Sequence, residues 1–280
     1  MAANILDLKI TDAQLERYAK VIYKIAGIVI SPQKKTLLSN RLRRRLKKTG
    51  IADFDAYFKH LQTLPADDPE WDAFLQEITT HETFLFRDEP NWNWFQNTYL
   101  PEIAREAKKG QRPKSLRIWS AACSTGDEAA TIAACIAGCL PQFTQWKISI
   151  VGTDIGVGAV EEARRAEFGL RAMRLVPDGF KRRFFQKDGS AELWRAKPVL
   201  TDMTKFNPHN LLDVLGESPF DLVFLKNVLI YFDTASKKKV LANIRQKMKP
   251  QGMLVCGAAE GISDLLDGLE RVYPWLYRTP

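Results

Sequence analysis

The feature that most limits the fold is a regular alternation of short β-rich runs with helical segments after Arg112-Pro113. The runs are SLRIWSA from Ser115, KISIVGT from Lys147, FDLVFL from Phe220 and GMLVCGA from Gly252. Between them lie segments in which apolar residues recur at helical spacing. Strands that alternate with helices predict an α/β domain, with a Rossmann-like parallel sheet covered by helices on both faces.

Two parts of the chain do not follow this alternation. Between residues 168 and 207, short apolar pieces such as LWRAKPVL are interrupted by polar ones such as KDGS, which is typical of a small antiparallel β insert. Residues 11–79 carry helical patterns and no strand signal. We therefore expect an all-helical N-terminal domain, residues 1–80, followed by the α/β domain, residues 81–280, with the insert at about 168–207.

The second predicted helix of the N-terminal domain starts at Ser31-Pro32, with proline in the first turn where no amide bond is lost. On it Leu38, Leu42 and Leu46 recur every four residues and predict a buried apolar stripe. The neighbouring face is basic, and its residues are Lys34, Arg41, Arg44 and Lys48.

Positive charge is concentrated on this helix. The net charge is +8, and eight basic residues without any Asp or Glu lie between Lys34 and Lys48, so the rest of the chain sums to zero. The eight are Lys34, Lys35, Arg41, Arg43, Arg44, Arg45, Lys47 and Lys48. We interpret segment 34–48 as a docking site for an acidic partner; the alternative is a solvated surface.

The sequence shows no pattern typical of membrane insertion, export or metal binding. The longest apolar stretch, Ala129 to Leu140, is shorter than the roughly 18 residues of a membrane span, and the N-terminus lacks the pattern of a signal peptide. Cys135 and Cys139 lie one helical turn apart, but no His or further Cys is near, which favours two core residues over a metal site. We expect a cytoplasmic protein without a bound metal.

Three places at the ends of predicted strands are candidates for ligand binding, because ligands of parallel sheets bind at the carboxyl ends of the strands. The turn from Ala122 to Glu128 joins a strand to a helix, whose first amides can face a ligand. Asp154 ends the next strand and would either take both ribose hydroxyls or cap the following helix. Asn227 ends a third strand and is either a ligand contact or a loop residue. A nucleoside-bearing cofactor fits, either a dinucleotide or S-adenosylmethionine; Gly126 alone does not make a GxGxxG turn.

Several segments resemble, in order, the chemotaxis receptor glutamate O-methyltransferases (CheR-type), over nearly the whole chain. KKTLLSNRLRRRLKKTG resembles the family's basic N-terminal helix, and ITTHETFLFRDE its TxFFR segment. WSAACSTGDEAA is similar to its SAASTGEEPYS turn, and GTDI carries its acidic strand end. FNPHNLL, FDLVFLKNVLIYF and AAEGISDL to YPWLYR resemble its Asn-Leu pair, its FDVIFCRNVLIYF segment and its GHSE-to-terminus stretch.

The resemblance implies a function and a set of site residues. The protein would transfer methyl groups from S-adenosylmethionine to glutamate carboxylates of chemoreceptor cytoplasmic helices, with the basic helix along the acidic receptor bundle. Separately from the resemblance, we expect a monomer. Asp154 would hold the ribose and Glu128 would lie near the methionine end, while Arg87 and Tyr231 would lie closest to the methyl group. The implied cofactor residues are His81, Thr83, Arg87, Glu128, Asp154, Asn210, Leu211, Lys226 and Asn227.

The chain departs from the family pattern at three of these places. Lys226 replaces an arginine, which keeps the charge but loses the planar fork. His81 stands where asparagine is common, and GDEAA replaces GEEPYS after the turn.

A glutamate acceptor needs no general base, because its unperturbed pKa of about 4.3 leaves it ionised at neutral pH.

Two other functions remain as alternatives. A nucleic-acid methyltransferase would use the same sheet and could place the basic helix on phosphates, but Asn227 to Tyr231 lacks the prolines of the N/D-P-P-Y/F element of amino-directed enzymes. A non-catalytic module that binds the cofactor without transfer is suggested by the altered turn after Gly126. A nicotinamide dehydrogenase is disfavoured, because that turn lacks the required glycines.

Overall fold

A computed structural model describes residues 5–189 and 192–280 of the chain. It begins with a helical domain, whose helices are α1 (Asp12–Ala26), α2 (Lys35–Thr49), α3 (Phe54–Thr63) and α4 (Pro69–Ile78). The predicted stripe of Leu38, Leu42 and Leu46 is confirmed, since all three are buried. They share a core with Tyr18 and Phe74. The helix α2 begins at Lys35 because residues Pro32–Lys34 form a separate 3₁₀ turn.

Acidic residues elsewhere in this domain oppose much of the charge on α2. Glu77 of α4 accepts from both Arg44, at 2.6 Å, and Lys48, at 3.1 Å. The buried Arg45 pairs with Glu70. The eight basic residues therefore form a less cationic surface than segment 34–48 suggests by itself, because folding brings acids from α4 against it.

The rest of the described chain contains ten strands. They are β1 (Ser115–Ala121), β2 (Lys147–Asp154), β3 (Glu167–Gly169), β4 (Phe185–Lys187), β5 (Leu193–Ala196), β6 (Thr204–Pro208), β7 (Phe220–Leu225), β8 (Met248–Cys256), β9 (Glu270–Tyr273) and β10 (Leu276–Arg278). Seven of them form one sheet in the order β6-β2-β1-β7-β8-β10-β9. The first five of these pair in parallel, as predicted, and β10 is antiparallel to both of its neighbours.

Helices cover both faces of this sheet. The helices of this part of the chain are α5 (Glu89–Trp94), α6 (Leu100–Lys108), α7 (Asp127–Cys139), α8 (Val157–Arg165), α9 (Leu170–Met173), α10 (Asp178–Phe184), α11 (Pro198–Thr201) and α12 (Thr234–Gln246), with a π-helical turn (Phe95–Tyr99) between α5 and α6. Along β7, Leu222 and Phe224 enter one core cluster, and Val223 and Leu225 enter the other. Successive side chains of a strand point to opposite faces, so both faces are buried.

The predicted antiparallel insert is present as the three-stranded sheet β3-β5-β4. Residues 204–207, at the end of the predicted insert, instead belong to β6 (Thr204–Pro208) at the edge of the large sheet. The run TKFNP is short, polar and ends in proline, which an edge strand tolerates but a periodicity search does not detect. Ser190 of the KDGS segment lies outside the described residues.

Strand β8 begins at Met248, before the predicted run GMLVCGA, and so includes residues 249–251. The pairing of β7 with β8 shifts register between Phe220 and Leu222, and Gln251 adopts a left-handed φ of 57°. A β-bulge therefore absorbs these residues, and the strand begins earlier than its apolar run.

Candidate cofactor-binding site

A cavity of about 340 Å³ lies between the helical domain and the carboxyl ends of β1, β2 and β7. The chain runs from β1 to β2 and β6 on one side, and then returns to place β7 and β8 on the other. The cavity is therefore at the switch point, where the order of strands reverses. The ten predicted site residues all line it: His81, Thr83, Arg87, Glu128, Asp154, Asn210, Leu211, Lys226, Asn227 and Tyr231.

The turn between β1 and α7 is tightly folded. Ala122 and Ser124 have left-handed φ angles of 57° and 51°. Gly126 has a φ of 86°, and a Cβ there would lie 2.9 Å from the Cβ of Ala163 in α8. Gly126 thus provides both the left-handed turn and the close packing against α8. In a GxGxxG turn these two roles belong to different glycines.

Asp154 joins this turn to the next one. The amide of Ser124 donates to Oδ2 at 2.8 Å, and the amide of Gly156, just before α8, donates to Oδ1 at 2.9 Å. Asp154 thus stabilises the turn before α8 but does not cap this helix, because the N-cap residue is Gly156 and no side chain of the described residues makes a cap hydrogen bond there. A carboxylate has about four acceptor positions, so two remain for hydroxyls of a ligand.

His81 lies beside Asp154, with Nδ1 3.7 Å from Oδ1. Its Nε2 is 2.6 Å from the hydroxyl of Thr79. Burial lowers the pKa of His81, although the Asp154 carboxylate acts in the opposite direction. The ring also crowds Gly156, where a Cβ would lie 2.6 Å from Cε1 of His81.

On the side of the cavity away from Asp154, a buried lysine of the wall pairs with two carboxylates, of which Glu128 lines the cavity. The Nζ atom of Lys226 is 3.0 Å from Oδ2 of Asp88 and 3.6 Å from Oε2 of Glu128. It also lies 5.1 Å from the centre of the Trp92 ring. Ser120 donates to Oε1 of Glu128 at 2.7 Å. Burial raises the pKa of Glu128, and the charge of Lys226 opposes this.

Asn210, at the rim of the cavity, is hydrogen-bonded to the helical domain. Its Nδ2 donates to the carbonyl of Ile25 at 2.8 Å, and its Oδ1 accepts from the amide of Leu212 at 3.1 Å. The amide of Val29 donates to the carbonyl of Tyr231 at 2.9 Å close by. The side-chain amide predicted to contact a cofactor is therefore engaged in contacts within the protein.

The mouth of the cavity is cationic and aromatic. The guanidinium of Arg87 lies 5.6 Å from the centre of the Phe84 ring. The Nζ atom of Lys34 lies 5.2 Å from the centre of the Tyr231 ring. Arg41 donates to Thr80 at 2.7 Å. The helix α2 thus contributes directly to the site.

Sequence reasoning assigned no site role to Trp92, Asp88 or Arg41. Lys34 and Arg41 were recognised only as part of a docking surface, because nothing in the sequence shows that the start of α2 folds over the sheet. Asp88 directly follows the TxFFR-like segment, and this position next to a predicted site segment was the only sequence feature that could have indicated its contact with the site.

Within residues 5–189 and 192–280, no group of three or more His, Cys, Asp or Glu side chains could hold a metal ion. In the same residues, no helix combines the length and apolar character that a membrane span requires.

The strand order and the cavity define an α/β protein with a cofactor site at the switch point of its sheet. Residues 81–273 match the family model "CheR methyltransferase, SAM binding domain", and residues 13–79 match "CheR methyltransferase, all-alpha domain". The chain belongs to this family of S-adenosylmethionine-binding methyltransferases.

Curated relatives align over most of both chains. The chain is 34% identical to a chemotaxis protein methyltransferase of Escherichia coli over 263 residues, which cover 92% of this chain and 87% of the relative. It is 33% identical to the Salmonella typhimurium protein of that name, with the same shares covered. It is 32% identical to chemotaxis protein methyltransferase 1 of Pseudomonas aeruginosa, over 93% of this chain and 94% of the relative.

We expect His81→Asn to make stability less sensitive to acid. A histidine whose pKa is lowered by folding binds fewer protons in the folded state, so stability falls as the pH drops below the unfolded value of about 6.5. Urea unfolding of both proteins at about pH 8 and about pH 5.5 measures the difference. His209, whose pKa burial also lowers, is present in both proteins and cancels. Equal acid sensitivity would contradict the prediction.

Proposed function

We propose that this protein transfers methyl groups from S-adenosylmethionine to glutamate side chains of chemoreceptor cytoplasmic helices, as a cytoplasmic monomer that serves chemotactic adaptation. The observation that carries the proposal is one cavity at the switch point that holds Asp154, Glu128, Arg87 and Tyr231 together. The family supports methyl transfer, and the relatives' name, chemotaxis protein methyltransferase, supports the pathway. The proposed division of labour assigns cofactor binding to residues 81–280 and receptor contact to residues 1–80.

The cavity wall has chemistry that suits each end of the cofactor. Two acceptor positions of Asp154 remain for the ribose hydroxyls, and the left-handed turn at Ser124 brings its amide beside them. The Glu128 carboxylate suits the methionine ammonium, while Lys226 and Arg87 suit the methionine carboxylate. The cavity volume falls in the range of about 300–1,000 Å³ that ligand sites occupy. Thr83 and Leu211 complete the wall beside them.

The methyl acceptor enters on the side of Arg87 and Tyr231. When bound, S-adenosylmethionine would supply the methyl group on its sulfur to a glutamate oxygen, with loss of the carbon–sulfur bond, so that the products would be a methyl ester and S-adenosylhomocysteine. The acceptor is already ionised at neutral pH, so the protein's part is alignment and exclusion of water. In our proposal Arg87 and Tyr231 hold the carboxylate by hydrogen bonds, and Lys34 beside the Tyr231 ring keeps this mouth cationic.

Receptor docking is proposed along α2. Lys34, Leu37 and Arg41 line the cavity, and Arg44 and Lys48 continue the same side of the helix, with more than half of each side chain exposed. An acidic helix laid along this edge would reach the cavity mouth with its glutamates. Arg44 and Lys48 both pair with Glu77, so we expect them to attract and orient an acidic receptor helix rather than to bind it tightly.

The first experiment identifies the methylated group. We expect label from S-adenosylmethionine to appear on a receptor cytoplasmic fragment and to leave as volatile methanol in alkali, because esters hydrolyse and N-methyl groups do not. Asp154→Ala should weaken S-adenosylhomocysteine binding at least tenfold, since hydrogen bonds to a carboxylate are lost. Asp202→Ala, an exposed acid, is the control.

Alkali-stable label, or label on nucleic acid alone, would contradict glutamate methylation. Tight cofactor binding without label on any of several receptor fragments would favour the non-catalytic module instead.

Tyr231→Phe is expected to lower the rate constant of transfer about tenfold through loss of one hydrogen bond to a charged group, with little change in cofactor affinity. Arg87→Ala should lower both the rate constant of transfer and the affinity for the cofactor. Tyr273→Phe removes the same hydroxyl from an exposed tyrosine of β9 and serves as the control. Full rates and normal affinities in both site variants would rule out their assigned roles. Single-turnover transfer and calorimetric titration measure the two quantities.

Arg44→Ala combined with Lys48→Ala should raise the KM for the receptor fragment several-fold at low salt, with the cofactor affinity unchanged. The effect should vanish at about 1 M salt, where screening acts within about 3 Å. Lys238→Ala with Lys239→Ala removes two exposed charges from α12 and is the matched control. An equal effect of both pairs would show that net charge matters rather than α2.

A further inference from the structure

Glu260 is a buried carboxylate to which no role above is assigned. Its exposed fraction is 1%, and it is not part of the cavity wall. It packs against the loop 226–231, which brings Lys226, Asn227 and Tyr231 to that wall. A buried charge is costly unless hydrogen bonds compensate it, so its partners indicate what it does.

The loop holds one oxygen of this carboxylate by a hydrogen bond, which the amide of Asn227 donates to Oε1 of Glu260. The other oxygen, Oε2, is buried without a hydrogen-bond partner among the described residues. Burial raises the pKa of Glu260, and the amides of Asn227, Leu229, Val228 and Ile230 oppose this. The hydrogen bond to Oε1 therefore ties the carboxylate to the start of the loop, and the amides that follow favour its charged form.

The loop adopts a conformation that needs such support. Asn227 has a left-handed φ of 59°, and non-glycine residues keep this conformation where their surroundings impose it. Lys237 of α12 donates to the carbonyl of Glu260 at 2.7 Å and so fixes the main chain that carries the carboxylate.

Gly257 provides the space for the contact. A Cβ at this position would lie 2.6 Å from Oε1 of Glu260 and 3.1 Å from the amide nitrogen of Asn227. Any larger residue would therefore push the carboxylate and the amide apart.

We propose that Glu260 is a positioning residue of the methyl-transfer site. Its carboxylate holds the backbone of the loop 226–231 and thereby sets Asn227 against the cofactor and Tyr231 against the acceptor. The inference rests on the proposed function only for the identity of the cofactor and the acceptor that the loop would contact. The anchoring of the loop by Glu260 does not depend on that function.

Glu260→Gln tests the anchor with an isosteric side chain. One oxygen can still accept from the Asn227 amide, but the side chain is now neutral, so this hydrogen bond is no longer charge-assisted and the charge that the neighbouring amides favour is lost. Asp221→Asn is the matched control. Asp221 is a carboxylate at the opposite end of β7, and it accepts from the amide of Arg117 at 2.8 Å.

We expect amide hydrogen exchange of the peptide covering 226–231 to become about tenfold faster in Glu260→Gln and to stay unchanged in Asp221→Asn. The rate constant of methyl transfer should fall about tenfold to a hundredfold, because small misplacements of aligned groups are costly. The KM for the receptor fragment should change less. Gly257→Ala, which leaves Glu260 in place, should cause the same two changes.

Unchanged exchange in either variant, or the same loss of activity in Asp221→Asn, would overturn the anchoring role. Faster exchange with an unchanged transfer rate would overturn the positioning role. If the unsubstituted protein bound no S-adenosylhomocysteine, the proposed function would fail, and the exchange result would still decide whether Glu260 anchors the loop.

Discussion

The site depends on one carboxylate. Asp154 accepts the amide of Ser124, from the turn after β1, and the amide of Gly156, from the turn after β2. These hydrogen bonds connect the turn after β1 to the turn after β2, which are neighbours because the two strands pair in parallel. A charged acceptor makes such bonds stronger than neutral ones. In the proposed function the same carboxylate would also accept the ribose hydroxyls, so one residue would both shape these turns and bind the cofactor.

The opposite wall depends on a charge that the fold keeps out of water. The Lys226 side chain is 3% exposed, and it lies between Glu128, Asp88 and the face of Trp92. An ammonium group approaches these partners as a compact point charge, whereas an arginine would present a planar fork. The departure from the family pattern is thus accommodated by surrounding carboxylates. Burial raises the pKa of Glu128, so removing the lysine would leave that charge poorly compensated.

The helical domain is part of the site rather than only a cover over it. Asn210 reaches across to the carbonyl of Ile25, and Tyr23 donates to Asp233 at 2.9 Å. Lys34, just before α2, and Arg41 of α2 also line the cavity. Under the proposed function, a receptor helix that docked along α2 would therefore also lie close to Tyr231.

Much of this could be predicted from local pattern. The four-residue repeat of Leu38, Leu42 and Leu46 is a local signal of a buried helix face, and the β-rich runs that end at Ala121, Asp154 and Leu225 are equally local. Parallel pairing then brings polar residues at strand ends together, which is why the family motifs converge on one cavity. The edge strand β6 was missed, because TKFNP has no apolar alternation and its pairing with β2 is purely tertiary.

The sequence by itself determined the alternating fold, the family and ten of the residues that line the cavity, because strand and helix periodicity and short motifs are properties of neighbouring residues. Only the tertiary structure decided how charge is distributed. Glu77 comes against Arg44 and Lys48, Asp88 against Lys226, and the amides of the loop 226–231 against Glu260. Such pairings join residues far apart in the chain, and the energy of a charge depends on its burial and its partners, which folding alone brings together.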